Sequence, residues 1–256
     1  MLLAVDIGNT NLTCGLFKGA RLLRVWRLPT YGKNAGAGFS SRLFPSFIGK
    51  KSITDVVYGS VVPAMNAKFE RECGRRLGLK PAAVTPRSKL GIRLKVDKPS
   101  EVGADRLLNA LAAHRLFGGP ALVIDFGTAT TFDCVSSEGD YLGGAIVLGP
   151  ELAAKSLSFH TAKLPIVEVQ KPRRVIGKNT VECIQAGLYY GYAGMINNVL
   201  ELSLKEMSRG EKIRKRPRVI TTGGLAGLFH QEIARADENM AHLTLLGLRF
   251  AHETIC

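Results

Sequence analysis

Short apolar runs that end in polar, glycine-containing turns set the pattern of the first half of the chain. The apolar runs at residues 2–7, 12–18 and 21–28 predict three successive strands. The other elements predicted in this half are helices at about 40–49, 63–77 and 100–117, and short strands near 56–58 and 82–84. Strands that alternate with helices are typical of α/β proteins.

The same pattern begins again near residue 121. An apolar run at 121–124 leads into Asp125-Phe126-Gly127-Thr128-Ala129-Thr130, much as residues 2–5 lead into Asp6-Ile7-Gly8-Asn9-Thr10-Asn11. Two further strands follow, near 131–135 and 141–148. We therefore predict an internal duplication, with one domain at residues 1–118 and a second at 119–256.

The second half continues with a helix after Pro150 and a long helix from about Thr180. Ser100 and Thr180 are both predicted to be helix N-caps, since their hydroxyls can accept a hydrogen bond from the first turn. A strand at 219–221 ends in Thr222-Gly223-Gly224, and a final strand is predicted near 242–244 before a closing helix.

Three glycines fall near one face of the long helix, at Gly187, Gly191 and Gly194. Each glycine inside a helix costs about 1 kcal/mol relative to alanine. Three of them indicate that another backbone packs closely against this face.

Two acid-glycine turns, one in each half, are the first candidates for chemistry. Backbone N–H groups in such a turn can form a concave anion site, and Gly8 lets a ligand approach the backbone closely. The Asp6 carboxylate could hold Mg²⁺ directly or through water. Taken alone, the first turn is equally well explained as an ordinary hairpin turn, but the duplication predicts that both turns meet the phosphates of one nucleotide in the cleft between the domains.

Composition limits the class of protein and the cellular location that the sequence allows. The chain has 256 residues, a formal charge of +14 and no apolar run long enough to span a membrane. Its five cysteines are scattered, which argues against a zinc site or a disulfide scaffold, and Cys14, Cys134 and Cys183 are expected to be buried. No signal peptide is recognisable at the N-terminus, so we expect a reducing, cytoplasmic location and no membrane partner.

The high charge favours anionic partners such as nucleotides, metabolites or nucleic acid. The densest basic run, residues 209–218, lies between a helical pattern and a strand and is better explained as a solvated connector than as a binding site. It has no interleaved aromatic residues, so we do not expect nucleic acid to be a partner.

In combination, these motifs resemble the type III pantothenate kinase family. The resemblance follows the whole chain in order, and its most specific part is Gly103-Ala104-Asp105-Arg106. It implies two duplicated ribonuclease-H-like domains of the actin type, usually in a homodimer. It also implies ATP-dependent phosphorylation of pantothenate, the first step of coenzyme A biosynthesis, with Mg²⁺ and a monovalent cation such as K⁺ or NH₄⁺.

The resemblance also assigns roles to individual residues. Asp105 matches the general base, although an acid early in a helix is often only a partner of the helix dipole. Arg106 is expected to pair with the acceptor's carboxylate, and Gly103 and Ala104 to leave room for it. Thr180 matches a substrate-binding threonine, and Asp125 a ligand of the monovalent cation. The residues expected to contact ATP are Asp6, Ile7, Gly8, Asn9, Thr10, Asn11, Leu12, Thr13, Thr128, Gly223 and Gly224.

One segment departs from the family pattern. Val96-Asp97-Lys98-Pro99 stands where the family often has Tyr-Asp-Asn-Pro, so no substrate contact is assigned to Val96. Two alternatives stay open on the sequence: an accessory protein of transcription, which the family also resembles, and a kinase for another small alcohol or acid. The first has no visible DNA-reading module to support it.

Overall fold

The structure is a computed structural model, and it describes residues 1–30, 38–46, 52–210 and 215–256. These residues form two units, each described by itself below. The first unit comprises residues 1–115 and 243–256, and the second comprises 116–242.

The first unit is built on a mixed five-stranded sheet. Its strands are β1 (Leu2–Ile7), β2 (Asn11–Lys18), β3 (Arg21–Pro29), β4 (Asp55–Ser60) and β5 (Ala82–Val84). The order across the sheet is β3-β2-β1-β4-β5. β1, β2 and β3 form an antiparallel meander, whereas β4 runs parallel to β1 and β5 parallel to β4.

The second unit repeats this topology strand for strand. It contains β6 (Ala121–Phe126), β7 (Ala129–Val135), β8 (Tyr141–Leu148), β9 (Arg218–Gly223) and β10 (Glu238–Asn239), in the order β10-β9-β6-β7-β8. β6 pairs antiparallel with β7 and parallel with β9, as β1 does with β2 and β4. The predicted duplication of an α/β domain is therefore confirmed.

Seven helices are described. They are α1 (Phe39–Leu43), α2 (Pro63–Leu77), α3 (Ala104–Phe117), α4 (Pro150–Phe159), α5 (Thr180–Gly210), α6 (Ala226–Phe229) and α7 (Leu243–Ile255). The central strands β1 and β6 are almost entirely apolar and buried, because they have a strand on either side and because sheets with parallel pairs are covered on both faces. Positions 47–49 of the helix predicted near 40–49 lie outside the described residues.

The closing helix does not lie where the predicted domains put it. The boundary near residue 118 falls close to the observed division at 115/116, but α7 belongs to the first unit. It packs against β1, β2 and β4, and its buried side chains include Leu243, Leu245 and Leu248. A boundary drawn along the sequence cannot show that the chain returns to its first half.

Three local predictions were wrong. The final strand is β10 at 238–239, and residues 243–244 already belong to α7. Ser100 lies in a 3₁₀ turn, Pro99–Glu101, and α3 begins only at Ala104. Asn179 caps α5 in place of Thr180: its side chain accepts from Glu182 N at 2.9 Å, and its carbonyl accepts from Cys183 N.

Three cysteines, Cys14, Cys73 and Cys134, are buried as small apolar side chains, but Cys183 is exposed on α5, contrary to expectation. All five are unbonded thiols. Across the described ranges, no helix combines the length and the apolar character needed to span a bilayer.

Candidate active site

The first acid-glycine turn joins β1 to β2 and is closed by its own backbone. Gly8 N donates to Asn11 O at 3.0 Å, and a β-carbon at Gly8 would lie 3.0 Å from that oxygen. Asn9, Thr10 and Asn11 are exposed at the turn, so their polar groups can reach a ligand. Such a turn offers N–H and amide donors to an anion.

The residues on either side of this turn differ in which of their atoms, side-chain or backbone, a ligand can contact. Ile7 and Leu12 have fully buried side chains, at 0 % exposure, so only their backbone atoms can contact a nucleotide. Asp6 and Thr13 face each other across β1 and β2 and are half-buried. The expected ATP segment at 6–13 is therefore a backbone cradle whose side-chain donors are at its tip.

The start of α3 lies beside this turn. Val61, directly after β4, donates its N–H to Ile7 O at 3.1 Å. A β-carbon at Gly103 would lie 3.5 Å from Val61 Cγ1. The first unit therefore brings the ends of β1 and β4 and the Gly103-Ala104-Asp105-Arg106 segment together at one edge, where the carboxyl ends of parallel strands usually bind ligands.

Asp105 is half-buried in the first turn of α3. One carboxylate oxygen, Oδ1, accepts a hydrogen bond from Arg106 N at 2.9 Å. Burial raises the pKa of the Asp105 carboxyl above its ordinary value, and the hydrogen bond and positive charge of Arg106 oppose this only in part. The positive end of the helix dipole favours the ionised carboxylate, but desolvation outweighs it and makes Asp105 a stronger base than an exposed aspartate.

The small size of Gly103 and Ala104 also serves the packing at the start of α3. A β-carbon at Gly103 would overlap Asp105 Oδ1, so this glycine makes room for the carboxylate. Ala104 is 4 % exposed and faces Gly59 of β4, where a β-carbon would lie 3.4 Å from Ala104 Cβ. Their size therefore lets α3 approach the sheet and places Asp105 at its edge.

The second acid-glycine turn has the equivalent position in its own unit, between β6 and β7, but is one residue shorter. Gly127 N donates to Ala129 O at 3.1 Å. Thr128 is exposed at its tip, as expected for an ATP contact. Thr130, by contrast, is fully buried as the second residue of β7.

Asp125 and Gly223 are neighbours at the ends of adjacent parallel strands. Gly223 has a φ of +93°, and a β-carbon there would lie 2.5 Å from Asp125 Oδ1 and 2.6 Å from Phe126 N. Only glycine fits this position, for both reasons. The predicted cation ligand and the predicted adenosine-binding glycine therefore form one constellation at the edge of the second sheet.

Sequence reasoning missed the aromatic and polar groups that support this constellation. Phe229, fully buried, stacks on Phe126 with ring centroids 5.3 Å apart and on Tyr189 at 5.4 Å. Glu232 accepts hydrogen bonds from Lys171 at 2.6 Å and Tyr189 at 2.7 Å, which lower the pKa of its carboxyl group. These contacts join α5 to the segment after Gly223-Gly224. Because the contacting residues lie far apart along the chain, no local sequence pattern predicts the contacts.

Thr180 is exposed at the first position of α5, in the second unit. Because Asn179 supplies the cap, the Thr180 hydroxyl has no structural task there. Among the described residues it makes no hydrogen bond, which suits a ligand contact.

Comparison with known proteins decides the family. The model of the type III pantothenate kinase family matches residues 2–202. A type III pantothenate kinase from Moorella thermoacetica is 42 % identical over 257 aligned positions, covering 99 % of both chains. This chain belongs to the type III pantothenate kinase family. It is thus a kinase that transfers a phosphoryl group from ATP to pantothenate, the first step of coenzyme A biosynthesis.

Solved structures support the fold. A protein described as a Baf family transcriptional activator, from Campylobacter jejuni, gives a TM-score of 0.57 at 16 % identity over 98 % of both chains. The activator of 2-hydroxyisocaproyl-CoA dehydratase from Clostridium difficile gives 0.52 at 13 %, covering 99 % of this chain and 96 % of its own. At these identities the likeness shows the fold alone, so the first name does not favour a role in transcription.

ATP-using kinases act with a divalent cation, and the oxygen donors at the two turns would hold such an ion loosely. No cluster of three or more His, Cys, Asp or Glu side chains is present within the part of the chain that is described. Asp6 and Asp125 each stand at a strand end beside backbone carbonyls. A cation there would take its other ligands from water, carbonyls and phosphates, as Mg²⁺ commonly does.

Two arginines of the basic run at 209–218 form ion pairs within the second unit. Positions 211–214 lie outside the described residues. Arg216 pairs with Asp237 and Arg218 with Glu238, both at 2.8 Å. These pairs join the segment before β9 and the start of β9 to the segment around β10, which favours the connector over a nucleic-acid site.

Proposed function

We propose that Asp105 is the general base with which this pantothenate kinase activates its acceptor. The observation that carries the proposal is a half-buried carboxylate of raised pKa, held at the start of α3 beside the first turn. The Asp105 carboxylate accepts the proton of the pantothenate hydroxyl. The freed oxygen bonds to the γ-phosphorus as the bond to the bridging oxygen breaks, and ADP leaves.

Arg106 and Thr180 hold the acceptor. A guanidinium pairs bidentately with a carboxylate, so Arg106 suits the carboxylate of pantothenate. Thr180 adds a hydroxyl that the helix cap does not require. Gly103 and Ala104 contribute backbone groups, since their side-chain positions are taken up by packing.

The contacts with the nucleotide are assigned to the acid-glycine turn of each unit. Residues 6–13 and Thr128 contact its phosphates, and Gly223 and Gly224 lie along its adenosine. Support comes from the shared fold, since the Clostridium difficile activator was solved with bound ADPNP. Asp6 would hold Mg²⁺ and Asp125 the monovalent cation, K⁺ or NH₄⁺. These ions would supply charge neutralisation for the phosphates.

The functional form is a homodimer that pairs the glycine face of α5. Gly187, Gly191 and Gly194 are exposed, and β-carbons there would meet no atom of the described residues within 4 Å. Beside them lies an open apolar groove of about 470 Å³, whose rim includes Val175, 63 % exposed, and Ile176, 75 % exposed. Exposed apolar surface next to small residues is typical of a face that another chain covers.

We infer that the enzyme works in the cytoplasm. The five unbonded thiols suit a reducing compartment.

The test is a coupled ADP-release assay with pantothenate, Mg-ATP and potassium. In Asp105→Asn we expect kcat to fall roughly 100- to 10,000-fold, the usual contribution of a general base. ATP binding, measured by calorimetry, should be retained. Glu101→Gln, an exposed acid on the same segment, is the matched control and should keep full turnover. Full turnover in Asp105→Asn would remove Asp105 as the base.

The raised pKa of Asp105 adds a pH signature. The acid limb of kcat/KM should lie above the ordinary aspartate range, because the base works only when ionised. The unfolded chain releases this proton first, so the group lowers stability as pH rises from its unfolded pKa to its folded pKa. Asp105→Asn should therefore gain stability relative to wild type between acid and neutral pH, as measured by thermal unfolding. An equal difference at both pH values would contradict the assigned direction.

A further inference from the structure

Both acid-glycine turns are held by the residue that follows the third strand of their unit. Thr30, directly after β3, donates its N–H to Thr10 O at 3.0 Å. Gly149, directly after β8, donates its N–H to Thr128 O at 3.1 Å. The two residues are equivalent in the duplicated topology, and each anchors the tip of its turn from outside the hairpin.

The two anchors differ in their side chains. A β-carbon at Gly149 would overlap Thr128 O and lie 2.5 Å from Gly127 O, so the second turn excludes any side chain. Thr30 fills the corresponding place in the first unit and is only 1 % exposed. Its hydroxyl donates to Gly8 O at 2.6 Å. The first turn, one residue longer, is thus anchored at two carbonyls and the second turn at one.

We propose that Thr30 is a positioning residue for the phosphates of ATP. Its hydroxyl fixes the Gly8 carbonyl, and its N–H fixes that of Thr10, so the peptide groups between them keep one orientation. Asn9, which lies between the two anchored carbonyls, makes no hydrogen bond of its own within the described residues and is exposed. The backbone N–H and the side-chain amide of Asn9 are therefore free to donate hydrogen bonds to an anion. The inference rests on the proposed role of residues 6–13 in binding ATP.

The expected effect follows from preorganisation. Without the hydroxyl, the turn samples several conformations, and ATP must select one of them on binding. A single neutral hydrogen bond of this kind changes affinity by about fivefold. The N–H anchor to Thr10 and the strand register remain, so the fold is retained.

The experiment compares Thr30→Val and Thr30→Ser by steady-state kinetics and by calorimetry with Mg-ATP. Valine keeps the shape and removes the hydroxyl, whereas serine keeps the hydroxyl. In Thr30→Val we expect KM and Kd for ATP to rise about fivefold while KM for pantothenate is unchanged, and in Thr30→Ser both should return to near wild type. Thr30→Ala serves as a second hydroxyl-free variant if the valine side chain impairs folding.

Thr254→Val is the matched control, since the Thr254 hydroxyl also donates to a backbone carbonyl, Phe250 O, at 2.9 Å in the first unit. It should alter thermal stability without altering KM for ATP. A KM for ATP in Thr30→Val equal to that of wild type, or an equal rise in KM for both substrates that serine does not rescue, would overturn the inference. A wild-type enzyme that binds no ATP would instead overturn the proposed nucleotide site itself, so the two failures are distinguishable.

Discussion

Replacing Gly223 with alanine tests the constellation at the edge of the second sheet most directly. The backbone there has a φ of +93°, and the new β-carbon would lie 2.5 Å from Asp125 Oδ1 and 2.6 Å from Phe126 N. A non-glycine residue in such a conformation costs about 1–3 kcal/mol, and forcing atoms into a packed site costs about 1–3 kcal/mol more. Because one of the crowded atoms is backbone, the strain cannot be relieved by turning a flexible side chain.

We therefore expect a loss of roughly 2–6 kcal/mol in the free energy of unfolding, which corresponds to a fall in Tm of about 4–24 °C for a chain of this size. Function should suffer selectively. Displacement of the Asp125 carboxylate should raise both KM for ATP and the potassium concentration that gives half-maximal activity, and leave KM for pantothenate unchanged. These constants come from the coupled ADP-release assay, and Tm from circular dichroism.

Gly227→Ala is the matched control. This glycine is exposed in α6, only four residues away, and a β-carbon there would meet nothing within 4 Å among the described residues. It should melt at or slightly above the wild-type temperature and keep its kinetic constants. If Gly223→Ala behaved in the same way as Gly227→Ala, the close approach of Asp125 and Gly223 would be refuted.

Two further predictions concern helix packing. Gly247→Ala should lower the free energy of unfolding by about 1–3 kcal/mol, because a β-carbon there would overlap Leu108 O of α3, whereas Gly74→Ala, on open surface, should be neutral or slightly stabilising. Chemical denaturation measures both, and equal midpoints would refute the close packing. If the proposed homodimer pairs the glycine face of α5, light scattering should show Gly191→Glu as a monomer and Lys205→Glu, on the same helix, as a dimer. A dimer that persists in Gly191→Glu would exclude the glycine face as the interface.

Local pattern was enough to predict most of the strands and the duplication. Residues 2–7 and 121–126 are strands because continuous apolar runs followed by glycine turns have few other solutions in a folded chain. The second run, by repeating the first, predicted a second unit of the same topology. The family motifs around Asp105 added the reaction, which the patterns alone left open.

Caps, partners and burial were decided by the tertiary structure. Ser100 and Thr180 have the right chemistry for helix N-caps, but α3 begins later and Asn179 takes the cap of α5. Cys183 has an apolar neighbourhood in sequence yet lies on an exposed helix face. In each case several nearby residues could fill the role, and only the packed geometry selects one of them.

The sequence by itself determined that the chain carries two acid-glycine turns and a Gly-Ala-Asp-Arg segment. Only the tertiary structure showed that Thr30 anchors the first turn and Gly149 the second. It alone also showed that α7 returns to the first unit. The reason is physical. A turn is specified by the preferences of adjacent residues, whereas an anchor is a hydrogen bond or a close contact between residues distant in sequence, and it exists only once the chain has folded.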